Sequence, residues 1–169
     1  MNKLPFCPQC GKQSLAWTDD IKWHCENCDF VLFHSCVAAV AIVVKYEDEI
    51  LFTRRNQNPG KNLLDLPGGF VDPNESAESA AKRELKEELN LSIDPFNLKY
   101  LCSLPNDYHY KGIDYRTLDL FFEYTTHTKD EMRKEQKEIS DILWISKNNL
   151  TLNELAFDSQ KKFFSSYLS

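Results

Sequence analysis

From Val37 the run VAAVAIVVKY is nearly all apolar and rich in Val, the pattern of a buried strand. Glu47-Asp48 reads as a turn, and EILFTRR, Glu49 to Arg55, as its hairpin partner. Asn56 to Asn62 carries Pro59-Gly60 and reads as a loop, after which LLDLP reads as a short strand entering Gly68-Gly69. Asp72 to Glu75 signals a helix start with Asp72 or Asn74 as cap, and the helix is expected to run through about Leu89. Lys99 to Leu104 and Thr117 to Tyr124 are further strand candidates, the second alternating Leu118, Leu120, Phe122 and Tyr124 against Thr117, Asp119, Phe121 and Glu123. The aromatic stretch PNDYHYKGIDYR between them reads as a loop. Lys129 to Glu138 reads as an exposed helix or a mobile loop, Ile142 to Ile145 as a last strand, and Asp158 to Leu168 as an amphipathic helix. Strands mixed with one or two long helices argue for a layered α/β or α+β domain.

Residues 1 to about 35 have a different texture. They hold four of the six cysteines, with Trp17 and Trp23, and no long periodic element. We therefore expect two units, 1–35 and 36–169. The 169 residues, 42% hydrophobic, suffice for one full core with a small appendage. A formal net charge of −6 disfavours nonspecific binding to nucleic acid or anionic lipid. Val37 to Val44 is too short to span a bilayer, and MNKLPFCPQC does not read as a signal peptide, so a cytoplasmic location is expected.

Cys7-Pro8-Gln9-Cys10 and Cys25-Glu26-Asn27-Cys28 are two C-x2-C pairs with 14 residues between them. Two such knuckles supply four thiolates for tetrahedral Zn2+, and four sulfurs leave no coordination site for water, so the expected role is structural. A segment this poor in apolar side chains needs such a staple. Cys36 and Cys102 are expected to be buried small hydrophobes.

The richest segment is GFVDPNESAESAAKRELKEELNL, Gly69 to Leu91. On a helix Glu84, Glu87 and Glu88 fall at i, i+3 and i+4, on one side within a turn, beside an apolar stripe of Ala77, Ala81, Leu85 and Leu89. Partial desolvation there strengthens their repulsion, which a hard divalent cation shared with substrate phosphates would relieve. Arg83, four residues before Glu87, can bridge to it. An ordinary solvated acidic face is the competing reading.

The same segment resembles the Nudix box, G-x5-E-x7-R-E-U-x-E-E-x-G-U with U bulky and aliphatic. Gly69, Glu75, Arg83, Glu84, Leu85, Glu87, Glu88 and Leu91 match, and Asn90 stands where the final Gly belongs. Asn is the next residue most tolerant of the left-handed region in which that Gly ends the helix. The resemblance implies an α/β/α sandwich around a mixed sheet, hydrolysing a diphosphate linked to another moiety with Mg2+ or Mn2+. By position Glu84 and Glu88 would be the main metal ligands, Glu87 a further ligand or base, and the Gly68 carbonyl a backbone ligand. Glu75 and Arg83 would orient the cluster. Nudix enzymes often take a base from outside the box. Glu138, six residues before Trp144, resembles that position, with Glu135 and Glu131 as fallbacks. Arg54, Arg55 and Arg116 are candidate phosphate contacts, against the alternative of plain surface charge.

A zinc ribbon ahead of a Nudix domain resembles NADH pyrophosphatases and related enzymes acting on NADH, FAD or ADP-ribose. Their S-Q-P-W-P-F-P-x-S signature is absent, however, and CSLPNDYHYKG stands in its place. Tyr108, His109, Tyr110 and Tyr115 could stack on a base or pack on the sheet. The expected partner is a nucleotide-type small molecule, with no nucleic acid and no membrane, and homodimerisation is left open. Two other readings stand beside the hydrolase. One is a nucleotide-sensing Nudix-fold regulatory or binding module, which usually lacks box glutamates that are all present here. The other is an isomerase of prenyl diphosphates, which would need Cys102 as a catalytic thiol.

Overall fold

The computed structural model describes residues 4–129, 132–133 and 138–168. Near its start, β1 (Leu15–Thr18), β2 (Lys22–Cys25) and β3 (Val31–Phe33) form a small antiparallel sheet in that order. Trp17 and Trp23 meet edge to face with ring centroids 4.5 Å apart, and His34 packs on both.

The remaining strands make one seven-stranded mixed sheet: β4 (Val37–Tyr46), β5 (Glu49–Arg55), β6 (Leu64–Asp65), β7 (Gly68–Phe70), β8 (Lys99–Tyr110), β9 (Ile113–Thr125) and β10 (Ile139–Ser146). The main path runs β10-β5-β4-β9-β8, with β4 and β9 parallel from Val37 opposite Thr117 to Lys45 opposite Thr125. Helix α1 (Ala77–Leu89) covers one face and α2 (Asp158–Tyr167) the other, an α/β/α sandwich. This is why β4 is apolar at successive positions: Ile42 and Val44 face α1 while Val43 faces α2, and all three are fully buried. The two rows of β9 divide likewise, Phe122 to the α1 side and Phe121 to the α2 side.

β4 and β5 pair only beside their turn, at Lys45–Ile50 and Tyr46–Glu49. Farther along, β7 takes the edge of β4 at Ala39 to Ala41, and β6 takes the edge of β5 at Thr53 and Arg54. The opening left by this divergence places the cavity described below.

Helix α1 ends as its sequence anticipates. Asn90 sits at φ 55° in the left-handed region, and the Leu91 amide reaches back to the Leu85 carbonyl at 3.1 Å. Its start is one turn later than expected. The cap is Ser76, whose hydroxyl accepts from the Ser79 amide at 3.2 Å, rather than Asp72 or Asn74. Asn74 has φ 69°, which suits the preceding turn and not the extended backbone of a cap.

Two further expectations are corrected. The stretch from Pro105 to Arg116 is no loop: β8 and β9 continue through it as a hairpin, closing on Lys111 and Gly112 at φ 50° and 78°. Positive φ at both turn residues fits a tight two-residue connection, and Lys-Gly lacks the Asn or Asp that usually signals it. Cys36 is exposed and Cys102 half-buried, so neither is a core residue. The charged run from Lys129 lies largely outside the described residues, as do Glu131 and Glu135. Among the described residues no helix is long and apolar enough to cross a membrane.

Candidate functional site

A cavity of about 390 Å³ opens where β4 and β5 part, bounded by the first half of β4, by Gly68 to Phe70, by α1, by the β8–β9 hairpin and by the start of α2. Its two ends differ in chemistry.

The α1 end is acidic. Glu84 and Glu88 both line the cavity, as do Arg83, Gly68 and Glu138. Glu84 is only 13% exposed, whereas Glu87 is 60% exposed and lies outside the lining. Helical spacing alone does not separate these three side chains. The sheet packed against α1 does, because it covers the row of Leu85 and thereby half-buries Glu84 and Glu88. Burial pushes Glu88 well above the ordinary carboxylate range, and the nearby charges of Asp65, Glu84 and Glu138 add to the effect. Glu84 is raised too, by burial, in spite of its ion pair with Arg83.

Arg83 ties the cluster together. Its guanidinium donates to Glu75 at 2.9 Å, to Glu84 at 2.6 Å, to Glu87 at 3.3 Å and to the Phe70 carbonyl at 3.0 Å. The expected bridge to Glu87 is therefore one of several and among the longer. The hydrogen bond from Arg83 holds the Glu75 carboxyl below its usual range.

Two glycines make this arrangement possible. The Gly68 amide donates to Glu88 at 3.1 Å, and a Cβ on Gly68 (φ 150°) would come within 2.0 Å of the Val40 carbonyl oxygen. A Cβ on Gly69 would come within 2.5 Å of Glu84 Oε1. The pair is thus required by close packing of β7 on β4 and on a carboxylate.

At the other end Arg55 is the organising group. It pairs with the buried Asp65 at 2.5 Å, donates to the Pro59 carbonyl at 2.6 Å, and lies 4.9 Å from the Phe157 ring centroid. Tyr108 packs against Phe157 at 5.7 Å and against Phe70 at 5.5 Å. Burial raises Asp65 above the usual carboxylate range although Arg55 and Gln160 counter it. Of the three candidate phosphate arginines only Arg55 reaches the cavity. Arg54 lies on the opposite side of β5 and donates to the Asn62 carbonyl, and Arg116 pairs with Asp107 on the exposed hairpin. Cys102 packs toward α2 and does not line the cavity, which gives the isomerase reading no thiol there.

Asp65, Asp119, Phe157 and Gln160 line the cavity without having been singled out from the sequence. Asp65, isolated among leucines in LLDLP, and Asp119, between Leu118 and Leu120 and ahead of Phe121-Phe122, carried the available signal: a charge where burial is expected.

The four cysteines of the paired motifs gather apart from this cavity, with their sulfurs all within 4.8 Å of one another. Cys7 and Cys28 are 3.7 Å apart, Cys10 and Cys25 3.8 Å, and Cys25 and Cys28 3.5 Å. A tetrahedron of sulfurs about 2.3 Å from a central Zn2+ has edges of about 3.8 Å, so the donor set fits that ion. The thiols also titrate apart. A hydrogen bond from Ser14 helps lower Cys25 to about 6. Cys28 is pushed up to about 12, where burial and the neighbouring thiols outweigh the Phe30 amide. Cys25 and Cys28 thus resist carrying negative charge together unless a cation lies between them.

A family model described as the NUDIX domain matches residues 35–167. Curated relatives include the NAD-capped RNA hydrolase NudC of Haemophilus influenzae strain PittGG, 26% identical over 143 residues that cover 83% of this chain and 51% of that protein. The chain spans about half the length of the curated relatives it matches. A NUDIX hydrolase from Nitrosomonas europaea superposes with a TM-score of 0.68 at 20% identity, covering 96% of this chain and 92% of the other. A bifunctional NMN adenylyltransferase/ADP ribose pyrophosphatase from Francisella tularensis, complexed with AMP and a Mn ion, gives a TM-score of 0.60 at 26% identity, over 81% of this chain and 43% of the other. With the family model covering most of its length and an α/β/α sandwich carrying the box glutamates on α1, the chain belongs to the Nudix family.

Proposed function

We propose that this chain is a divalent-metal-dependent pyrophosphohydrolase that cleaves the diphosphate bond of a nucleoside diphosphate linked to another moiety, as in ADP-ribose, NADH or FAD. The observation that carries this reading is the pair Glu84 and Glu88, half-buried on one turn of α1 and facing the cavity with little positive charge to offset them beyond Arg83. Glu84 and Glu88, with Glu87 at the rim and the Gly68 carbonyl, would hold Mg2+ or Mn2+. Bound there, such an ion would supply the charge that offsets phosphate and acidifies water. Arg83 and Glu75 keep the carboxylates in register, and Glu138 accepts a proton from the attacking water at the cavity mouth. Tyr108 stacks on the nucleoside, while Arg55 positions Tyr108 and Phe157. Cys7, Cys10, Cys25 and Cys28 would hold a structural Zn2+.

The relatives named as NAD-capped RNA hydrolases narrow the expectation of no nucleic acid. A capped RNA end is a nucleoside diphosphate joined to another moiety, and the net charge of −6 argues only against a grip on the phosphodiester backbone. Substrates to screen are ADP-ribose, NADH, FAD, dinucleoside polyphosphates and an NAD-capped oligonucleotide, each with Mg2+ and with Mn2+. We expect metal-dependent turnover of at least one, and a fall of about 100-fold or more in Glu88→Gln. Turnover that survives removal of Glu84 and Glu88 would reject the assignment.

A further inference from the structure

The side of the cavity next to α2 holds a buried carboxylate that the proposed hydrolysis leaves without a task. Asp119 is 8% exposed and lines the cavity from β9. One of its oxygens accepts from the Thr117 hydroxyl at 2.6 Å, the other from the Ser159 hydroxyl at 2.6 Å. Both partners are neutral, and among the described residues no lysine, arginine or histidine is paired with it by side-chain contact. The neighbouring Asp65 also accepts one bond on each oxygen, from Arg55 and from Gln160, but there one donor is a cation that offsets the carboxylate charge.

A carboxylate has about four lone-pair sites, so two hydroxyl bonds leave Asp119 with acceptor capacity to spare. Burying such a group is costly unless that capacity is used. The walls around it decide what could use it. The β8–β9 register sets Asn106 beside Thr117, and Tyr108 follows on the same row of β8. Tyr108, with Phe157 and Phe70, makes an aromatic surface for a planar ring. Among the described residues lining this side, Asp65 and Asp119 face one cation, Arg55, which disfavours a phosphate or carboxylate there and favours a ring with N–H donors.

Building on the reading of the chain as a nucleoside diphosphate hydrolase, we propose that Asp119 is a specificity-determining residue that accepts a hydrogen bond from the exocyclic amino group of an adenine ring seated among Tyr108, Phe157 and Phe70. Thr117 and Ser159 fix the carboxylate, so that its remaining lone pairs point to one donor. No covalent step is involved.

The test is calorimetric titration of the whole chain with Mg2+, using AMP and purine riboside 5′-monophosphate. The two differ only by the amino group, and neither contains a diphosphate bond to cleave. We expect AMP to bind about 10-fold or more tightly, the size of one hydrogen bond to a charged acceptor. Asp119→Asn should lower that ratio, and Asp119→Leu should bring it to within about twofold, since no acceptor remains. Equal binding of the two nucleotides by the wild-type chain, or no binding of either, overturns the proposal. So does an unchanged ratio in Asp119→Asn, which settles the matter even if the leucine variant fails to fold. The hydrolase reading fails separately: discrimination without turnover of any diphosphate would leave Asp119 in its role and remove the catalytic one.

Discussion

Cys25 and Leu85 are each 0% exposed, yet different things surround them. Around Leu85 lie Val40, Ile42, Val44, Ala81, Leu89 and Phe122, an apolar cluster closed by α1 and the sheet. Around Cys25 lie three other sulfurs and the Ser14 hydroxyl, while Phe6 and Phe33 of the same small unit are 60% exposed. The larger domain excludes water with hydrocarbon. The smaller one gathers polarisable donors and has little apolar surface to bury. The acidic face of α1 stands between these cases: it crowds like charges as the sulfurs do, but on a helix whose other face is already anchored.

The largest effect that could break this contrast is metal removal. With Zn2+ held by the four cysteines as proposed, stripping it with a chelator should withdraw on the order of 10 kcal/mol from the small unit. Limited proteolysis would then cut within residues 4–33 while the sheet domain keeps its melting transition. Loss of both together would mean that the two units share one source of stability.

Next comes hydrocarbon. Leu85→Ala should cost about 2–5 kcal/mol in denaturant unfolding of the sheet domain. Phe33→Ala, at an exposed site of the small unit, should cost less than about 0.5 kcal/mol. Comparable losses would contradict a division between hydrocarbon and sulfur as the sources of stability.

The acidic face gives a smaller effect of opposite sign. In the metal-free chain Glu88 has a folded pKa above its unfolded value, so ionising it opposes folding. Its penalty is absent below the ordinary carboxylate range, grows as pH rises through it, and is complete above the raised folded value. Glu88→Gln should therefore stabilise the metal-free chain by roughly 1–3 kcal/mol at pH 8, and the gain should fade toward pH 4. A thermal melt series across pH measures this, and a variant less stable at pH 8 would remove the desolvation argument. The smallest expected effect is at the helix start. Ser76→Ala should cost about 1 kcal/mol, and Asp72→Ala distinctly less, since Ser76 is the cap.

How much of this was legible beforehand depends on distance along the chain. The box on α1, the left-handed Asn90, the paired cysteine knuckles and the long strand β4 are local patterns, fixed by spacing and by what each residue's backbone tolerates. Whether Glu84 and Glu88 face a cavity while Glu87 faces solvent depends on which row of the helix the sheet covers. That Arg55 reaches the site and Arg54 does not follows from the alternation of β5, which puts Arg55 on the row of Leu51 and Thr53 and Arg54 on the row of Ile50 and Phe52 that packs toward α2. Asp119 comes from β9 while Phe157 and Gln160 come from the start of α2, and no spacing rule relates a strand residue to a helix that meets it only when α2 closes over the sheet. The sequence by itself determined the family, the acidic helix and the sulfur set, because those constraints act within a few residues. Only the tertiary structure decided which charges are buried and what they face, because desolvation is a property of the surroundings and not of the residue.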